Sequence, residues 1–279
     1  LSEDSGEPIV DIAISMDSTG QNHLAMLFGN QLKLIDTQDG STETLLLEAN
    51  SSVVASSGPL IAISELSEFG PLVNITSIES DLIITIPLDP SSSERTDQSI
   101  ANSGVVLDFH NSSVVELVMD ANWLVATVDV GPFNRTILVD TISINQTHIS
   151  NPRWDSSSPS VGNGKVAFLQ VTRDDLSVSG EGEDRNNDVY VHDLETGETV
   201  QLTFDEEVDQ SQPQILFESL AWIQNDDEDD KEVVLHLFTD TIEPRNSLLL
   251  QASILALLPL IFLWALQTYG EESRVTRRV

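Results

Sequence analysis

The chain has 279 residues, with 46 Asp plus Glu against 12 Lys plus Arg and a formal net charge of −34. Such acidity makes nucleic acid and anionic lipid surfaces poor partners for the bulk of the protein, and favours cations and a saline setting that screens self-repulsion. There is no cysteine, which excludes disulfides and thiol chemistry, while 40% hydrophobic residues suffice to bury a core.

In chain order, the acidic start "LSEDSGEP" has no methionine and no basic-then-apolar leader, and reads as a mature chain after signal cleavage or as a fragment. From there to Phe238, short apolar runs alternate with Ser, Asn, Asp and Gly clusters, and no segment keeps a helical period. The expected class is therefore all-β. "LKLIDTQDGSTETLLL" (32–47) and "VYVHDLETGETVQLT" (189–203) are each an alternating strand closed by Asp, three residues, then Gly, and a second strand. Asp36 with Gly40 and Asp193 with Gly197 suit hairpins, since the carboxylate can bond the turn backbone and Gly accepts a positive φ. "ILVDTISINQTHIS" (137–150) is a third copy that keeps Asp140 and lacks the Gly. The apolar runs "HLAML", "LIAIS", "WLVATV", "KVAFL" and "LAWIQ" recur about every forty to sixty residues, as the inner strands of four-stranded propeller blades would.

The strongest internal repeat sets "DSSSPSVGNGKVAFLQ" (155–170) against "DQSQPQILFESLAWIQ" (209–224) without a gap. Asp155, Ser157, Pro159, Ala167 and Gln170 recur as Asp209, Ser211, Pro213, Ala221 and Gln224. "NPRWDSSSPSVGNGKVAFLQ" followed by "NNDVYVHDLETGETVQLTFDEEVDQSQPQI" resembles the TolB-type propeller repeats of archaeal and bacterial surface proteins and of dipeptidyl-peptidase-type enzymes. The likeness is good over 151–224, fair over 9–47 and weak between 53 and 150. It implies a β-propeller of about five or more four-stranded blades, and a fold rather than an activity. The last unit, "PQILFESLAWIQNDDEDDKEVVLHLF", lacks an outer strand, and "EPIVDIAIS" near the N-terminus is expected to pair there and close the ring.

Catalytic patterns are missing. No Gly-x-Ser-x-Gly elbow, phosphate-binding glycine loop, His-Glu-x-x-His helix or zinc pattern occurs, and His23, His110, His148, His192 and His236 are scattered singly. The reading is a non-enzyme that requires no cofactor. Asp184, Asn186, Asp188, Tyr190, His192 and Glu195 fall at the ligand spacing of a calcium loop, but its sixth position needs Gly and here is Val189. If "DVYVHD" is extended, Asp184 and Glu195 lie at opposite ends of a strand and cannot share an ion. What stays open is a Ca²⁺ held by Asp184, Asn186 and Asp188 alone. The acidic loops 173–188 and 225–232 could bind Ca²⁺ through their oxygens, but solvated hairpins in an already acidic protein are the favoured reading. Trp123 and Trp222 suit core packing, and Trp154 a blade junction.

The domain reading assigns 1–245 to an extracytoplasmic propeller, 246–270 to a transmembrane helix and 271–279 to a cytoplasmic tail. No residue from Asn246 to Gly270 is charged, and Leu248–Tyr269 would span roughly 30 Å as a helix, the thickness of a bilayer's hydrocarbon core. Trp264 and Tyr269 suit the interfacial belt, and Arg274, Arg277 and Arg278 place the tail inside. Sequons at Asn50, Asn74, Asn111, Asn134 and Asn145 are then candidates for glycosylation on the outer side. Anchor, orientation, acidity, sequons and blade repeats together lead to the expected function: a single-pass cell-surface glycoprotein of an archaeal envelope, serving as a binding or structural module. Its partners are the lipid bilayer through 248–269 and an envelope protein or glycan. The alternatives are an accessory propeller for a separately encoded envelope hydrolase or transporter, and a calcium-dependent adhesion role.

Overall fold

The computed structural model describes residues 8–47, 51–68, 70–92, 94–102, 106–109, 111–171, 186–204, 208–225 and 231–238. Contacts group residues up to His236 in one unit and 237–279 in another. Among the described residues, nineteen strands form five antiparallel sheets in chain order. The first sheet holds β1 (Asp11–Met16), β2 (Asn22–Phe28), β3 (Gln31–Asp36) and β4 (Thr42–Leu46). The second holds β5 (Ser51–Ser57), β6 (Leu60–Ser67), β7 (Gly70–Ser77) and β8 (Ser80–Pro87). β9 (Ser113–Asp120), β10 (Trp123–Asp129), β11 (Asn134–Asp140) and β12 (Asn145–His148) make the third. β13 (Asp155–Gly162), β14 (Lys165–Val171), β15 (Asn187–Asp193) and β16 (Thr199–Gln201) make the fourth. The fifth has three strands, β17 (Asp209–Leu216), β18 (Ser219–Asn225) and β19 (Lys231–Leu237).

Each sheet is a meander, and its first strand packs on the first strand of the next: β1 on β5, β5 on β9, β9 on β13, β13 on β17. The first strands therefore line the centre, as in a propeller. The apolar "LIAIS", "WLVATV" and "KVAFL" runs, expected as inner strands, are second in their sheets. There Ile61–Glu65, Leu124–Val128 and Val166–Gln170 are buried without a break, because a sheet lies on each side. Between the third and fourth sheets, Val125, Leu138, Ile149, Val166, Phe168 and Tyr190 form one cluster, with Phe168 stacked on Tyr190 at a 5.8 Å centroid distance. Trp123 and Trp154 pack against it, so Trp154 does lie at a blade junction.

The hairpin chemistry is as read. Asp36 Oδ1 accepts the Gln38 amide at 2.7 Å, Asp193 Oδ1 accepts those of Glu195 and Thr196, and Gly40 and Gly197 take φ of 73° and 72°. In the copy without Gly, Asp140 Oδ1 accepts the Ile142 amide and Ile144 itself adopts φ 60°. From Asp188 to Glu195 the calcium-loop spacing falls on the extended strand β15 and the turn after it, so these residues do not curl round one ion, while Asp184 lies outside the described residues.

Two expectations are corrected. The ring is not closed by Asp11–Met16, which is the first strand of its own sheet and pairs β2 in register from Asp11↔Leu27 to Met16↔Asn22. Among the described residues one helix, α1 (Glu94–Asn102), interrupts the all-β pattern in the connection between the second and third sheets. Its sequence lacks a helical signal because what holds it comes from elsewhere: the fully buried Arg135 of β11. That guanidinium donates to Asp97 Oδ1 at 2.9 Å and to the carbonyls of Pro90 (2.7 Å) and Pro152 (3.2 Å), and lies 5.5 Å from the Phe109 and Phe133 ring centres. Ile100 of α1 is buried with Val130 and Phe133.

The segment 246–270 expected to cross a membrane lies outside the described residues. Among those described, no helix is long and apolar enough to do so.

Candidate binding site at the centre of the sheets

Four of the five innermost strands carry a break in pairing at a matching place. The register shifts between Ser51 and Val54 in β5, between Ser157 and Ser160 in β13, and between Ser211 and Gln214 in β17. In β9 the pairs Thr127↔Glu116 and Val128↔Val114 skip Val115. A bulge leaves its extra residue unpaired and bends the strand, which re-aims side chains. In β13 and β17 the cause is legible in the chain: Pro159 and Pro213 have no amide to give to the ladder, and the preceding Ser158 and Gln212 take φ of 53° and 51°.

These bulges meet around a cavity of about 460 Å³ lined by Val53 of β5, Val115–Val118 of β9, Ser158 and Pro159 of β13, and Gln212 and Gln214 of β17. Its walls combine valine and proline with one carboxylate, one hydroxyl and two primary amides. That set can accept and donate hydrogen bonds over an apolar floor, the usual make-up of a recognition site.

The walls are fixed by bonds from strand to strand. Asp11 Oδ2 accepts the Val54 amide (2.8 Å) and the Ser56 hydroxyl donates to the Ile14 carbonyl (2.6 Å), joining β1 to β5. The Ser52 hydroxyl donates to the Val114 carbonyl (3.0 Å), the Ser158 amide to Glu116 Oε2 (2.8 Å), and the Ile215 amide to Ser160 Oγ (3.0 Å). At the strand entrances Asp155 Oδ1 accepts the Asn134 amide (2.7 Å) and Asp209 Oδ1 that of Asn187 (2.9 Å), each reaching back to the preceding sheet. The recurring Asp positions of 155–170 and 209–224, Asp155 and Asp209, are thus inter-sheet ties. Nothing in the sequence reading marked Glu116, Gln212 or Gln214. For Gln212 and Gln214 the signal was the repeated Asp-x-Ser-x-Pro, a proline inside a strand, whereas β9 around Glu116 carries no such pattern.

The residues singled out from sequence are dispersed. Asp184 and Asn50 lie outside the described residues. Asn186 precedes β15, and Asp188 accepts from Thr203 Oγ1 and Gln201 Nε2, both at 2.9 Å, tying the end of the sheet's outer strand to β15. Among the described residues no group of three His, Asp or Glu side chains is placed to hold a metal. Asn111 and Asn145 are exposed, whereas Asn74 and Asn134 are half-buried in β7 and β11. His192 is buried with Nδ1 2.9 Å from Thr199 Oγ1, and burial lowers its pKa. His148 is lowered by burial and by the nearby Arg135 charge. Asp193 falls to about 2, chiefly through its bond from Lys165 at 2.6 Å and the Thr196 amide. Asp17 also falls to about 2, held by the Thr19 hydroxyl and the Gln21 amide.

No known family pattern and no curated protein sequence matches the chain. Among solved structures it is similar to the tricorn protease, with TM-score 0.55 and 13% identity over 80% of this chain and 20% of that one. It is also similar to the β-propeller domain of the Trilobed protease from Pyrococcus furiosus, described as having an open velcro topology (TM-score 0.51, 9% identity, 84% and 70% covered). A TolB from Agrobacterium tumefaciens is similar at TM-score 0.46 and 13% identity, over 84% of this chain and 78% of that one. The chain spans a fifth of the tricorn protease's length. The fold is a β-propeller, as expected from the repeats.

Proposed function

We propose that this chain is a surface-exposed, membrane-anchored propeller of an archaeal envelope that works as a binding module through its central cavity. The observation carrying the binding role is the meeting of four bulged inner strands around Glu116, Ser158, Gln212 and Gln214. The uncharged 246–270 stretch with arginines after it supports anchoring with the large domain outside, and the sequons and acidity support that side. The lining carries no histidine, lysine or cysteine, which supports recognition rather than catalysis by this chain. The test is retention of solubilised envelope components, glycans included, by the immobilised chain and by Gln214→Trp, which fills the cavity from an exposed position. The expected result is a component retained by the parent and lost by the variant; equal retention by both removes the cavity from the function.

The likeness to two proteases favours a second reading, an accessory propeller presenting substrate to a separately encoded envelope hydrolase. Co-purification with a hydrolase would favour it, and isolation of the chain alone from gently solubilised membranes would count against it. A Ca²⁺ ion at Asp184, Asn186 and Asp188 would compete with the bonds Asp188 makes to Gln201 and Thr203. Calorimetry that shows no heat on adding Ca²⁺ removes that role.

A further inference from the structure

Four of the five Asn-x-Ser/Thr sequons lie among the described residues, and the fold treats them differently. Transfer of a glycan needs the Asn amide nitrogen and the hydroxyl two residues on, both open to a large enzyme, with room for a bulky, hydrated product. Asn74 is half-buried in β7, between β6 and β8, and its Oδ1 accepts the Thr85 hydroxyl at 2.6 Å. At Asn134 the required hydroxyl is that of Thr136, which is fully buried and donates to Ser156 Oγ at 2.9 Å. Asn111 is exposed, but the nitrogen that would be modified donates to Asp108 Oδ2 at 2.7 Å, Ser112 beside it is buried, and Ser113 opens the innermost strand β9.

Asn145 differs on each count. It opens β12, the outermost strand of the third sheet, which among the described strands pairs β11 alone. Its neighbour Gln146 is turned towards the start of the connection between the second and third sheets, where Nε2 donates to the Pro87 carbonyl (2.6 Å) and Oε1 accepts the Asp89 amide (3.0 Å). Side chains alternate along a strand, so Asn145 and Thr147 point the other way, and both are exposed. Among the described residues neither side chain makes a hydrogen bond. The turn ahead of the strand leaves Ile142 and Ile144 73% and 48% exposed. An outer edge strand beside two bare isoleucines is a surface that invites unwanted pairing.

We infer that, of these four sequons, Asn145 is the one at which the folded chain carries an N-linked glycan, which shields the edge of β12 and the two isoleucines. The inference rests on the proposed placement of the domain outside the membrane. In the transfer, Asn145 Nδ2 attacks the anomeric carbon of an oligosaccharide carried on a polyprenyl phosphate. The nitrogen–carbon bond forms as the carbon–oxygen bond to phosphate breaks, the lipid phosphate leaves with the electron pair, and the amide proton passes to a base of the transferase. Nothing is oxidised or reduced. The new bond is made at a side-chain atom, so the pairing of Asn145 with Asp140 across the hairpin is kept.

The purified full chain in a non-ionic detergent, incubated with an oligosaccharyltransferase and its polyprenyl-phosphate-linked donor, tests the site independently of topology. Glycopeptide mass spectrometry is expected to show one oligosaccharide on Asn145 and bare Asn74, Asn111 and Asn134. The signal should be lost in Thr147→Ala, which changes an exposed side chain. Short peptides carrying each of the four sequons should all be accepted, because the selectivity lies in the fold. A bare Asn145, equal transfer to any of the other three, or the same preference among the peptides overturns the inference and leaves the outward placement untouched. Asn145 modified in the purified chain but bare on the chain taken from glycosylating cells overturns it as a modification in cells, and counts against the placement as well.

Discussion

Ile144 stands where the two better copies of the hairpin have glycine, and it takes φ 60° in place of the 73° and 72° of Gly40 and Gly197. A β-branched residue in the left-handed region costs roughly 1–2 kcal/mol, part of which a glycine returns as chain entropy on folding. Ile144→Gly is therefore expected to raise the unfolding free energy by about 0.5–1 kcal/mol in urea titration. Gly197→Ala should lower it by about 1 kcal/mol. Nothing lies within 4 Å of where the new methyl would sit, so the loss is backbone strain alone. At Asp188 the carboxylate bonds two groups at the far end of its sheet. Asp188→Ala is expected to cost about 1–2 kcal/mol, since the Gln201 and Thr203 donors lose a charged acceptor.

Among elements, the helix α1 is tied by Arg135, supplied 38 positions away in sequence, and by Arg153, which donates to Ser99 Oγ at 2.8 Å. Arg135 is fully buried and faces Asp97, so Arg135→Ala removes the donor to two carbonyls and the counter-charge of a carboxylate that keeps only its bonds from Ser92. The expected cost is about 3 kcal/mol, measured as a shift of the denaturation midpoint, with helix α1 the first region to lose hydrogen-exchange protection. This dependence is why the sequence showed no helix: "ERTDQSIAN" has little apolar content, and its partner is remote. The strands and hairpins were legible because period-two alternation and the Asp and Gly of the turns are local signals. The innermost strands were harder to see. "DSSSPSVG" and "DQSQPQIL" have no apolar alternation, since they spend their side chains on inter-sheet bonds and on the cavity. The candidate site was invisible for the same reason: bulges bring together residues from four sheets that share no linear motif.

For the whole molecule, pH response follows from the buried and bonded groups. His148 and His192 have folded pKa values below 6.5, so the folded chain binds fewer protons than the unfolded one just under that pH. Their stability contribution is complete above pH 6.5 and is lost as pH falls through the lowered folded values. Asp17 and Asp193, held near 2 against 3.8, add a second loss between about pH 4 and pH 2. The melting temperature should be flat above neutrality and fall in two stages on acidification, and His192→Gln should remove part of the first stage. A melting temperature that rises between pH 7 and pH 5 would contradict these assignments. The proposed placement is that of an outward-facing propeller held to a membrane by the segment that follows it. Its most direct test is external protease on intact cells carrying the full chain with a tag after Val279. The account predicts that the propeller is digested while the tag and its apolar segment remain protected; a propeller that resists until the cells are lysed would contradict it.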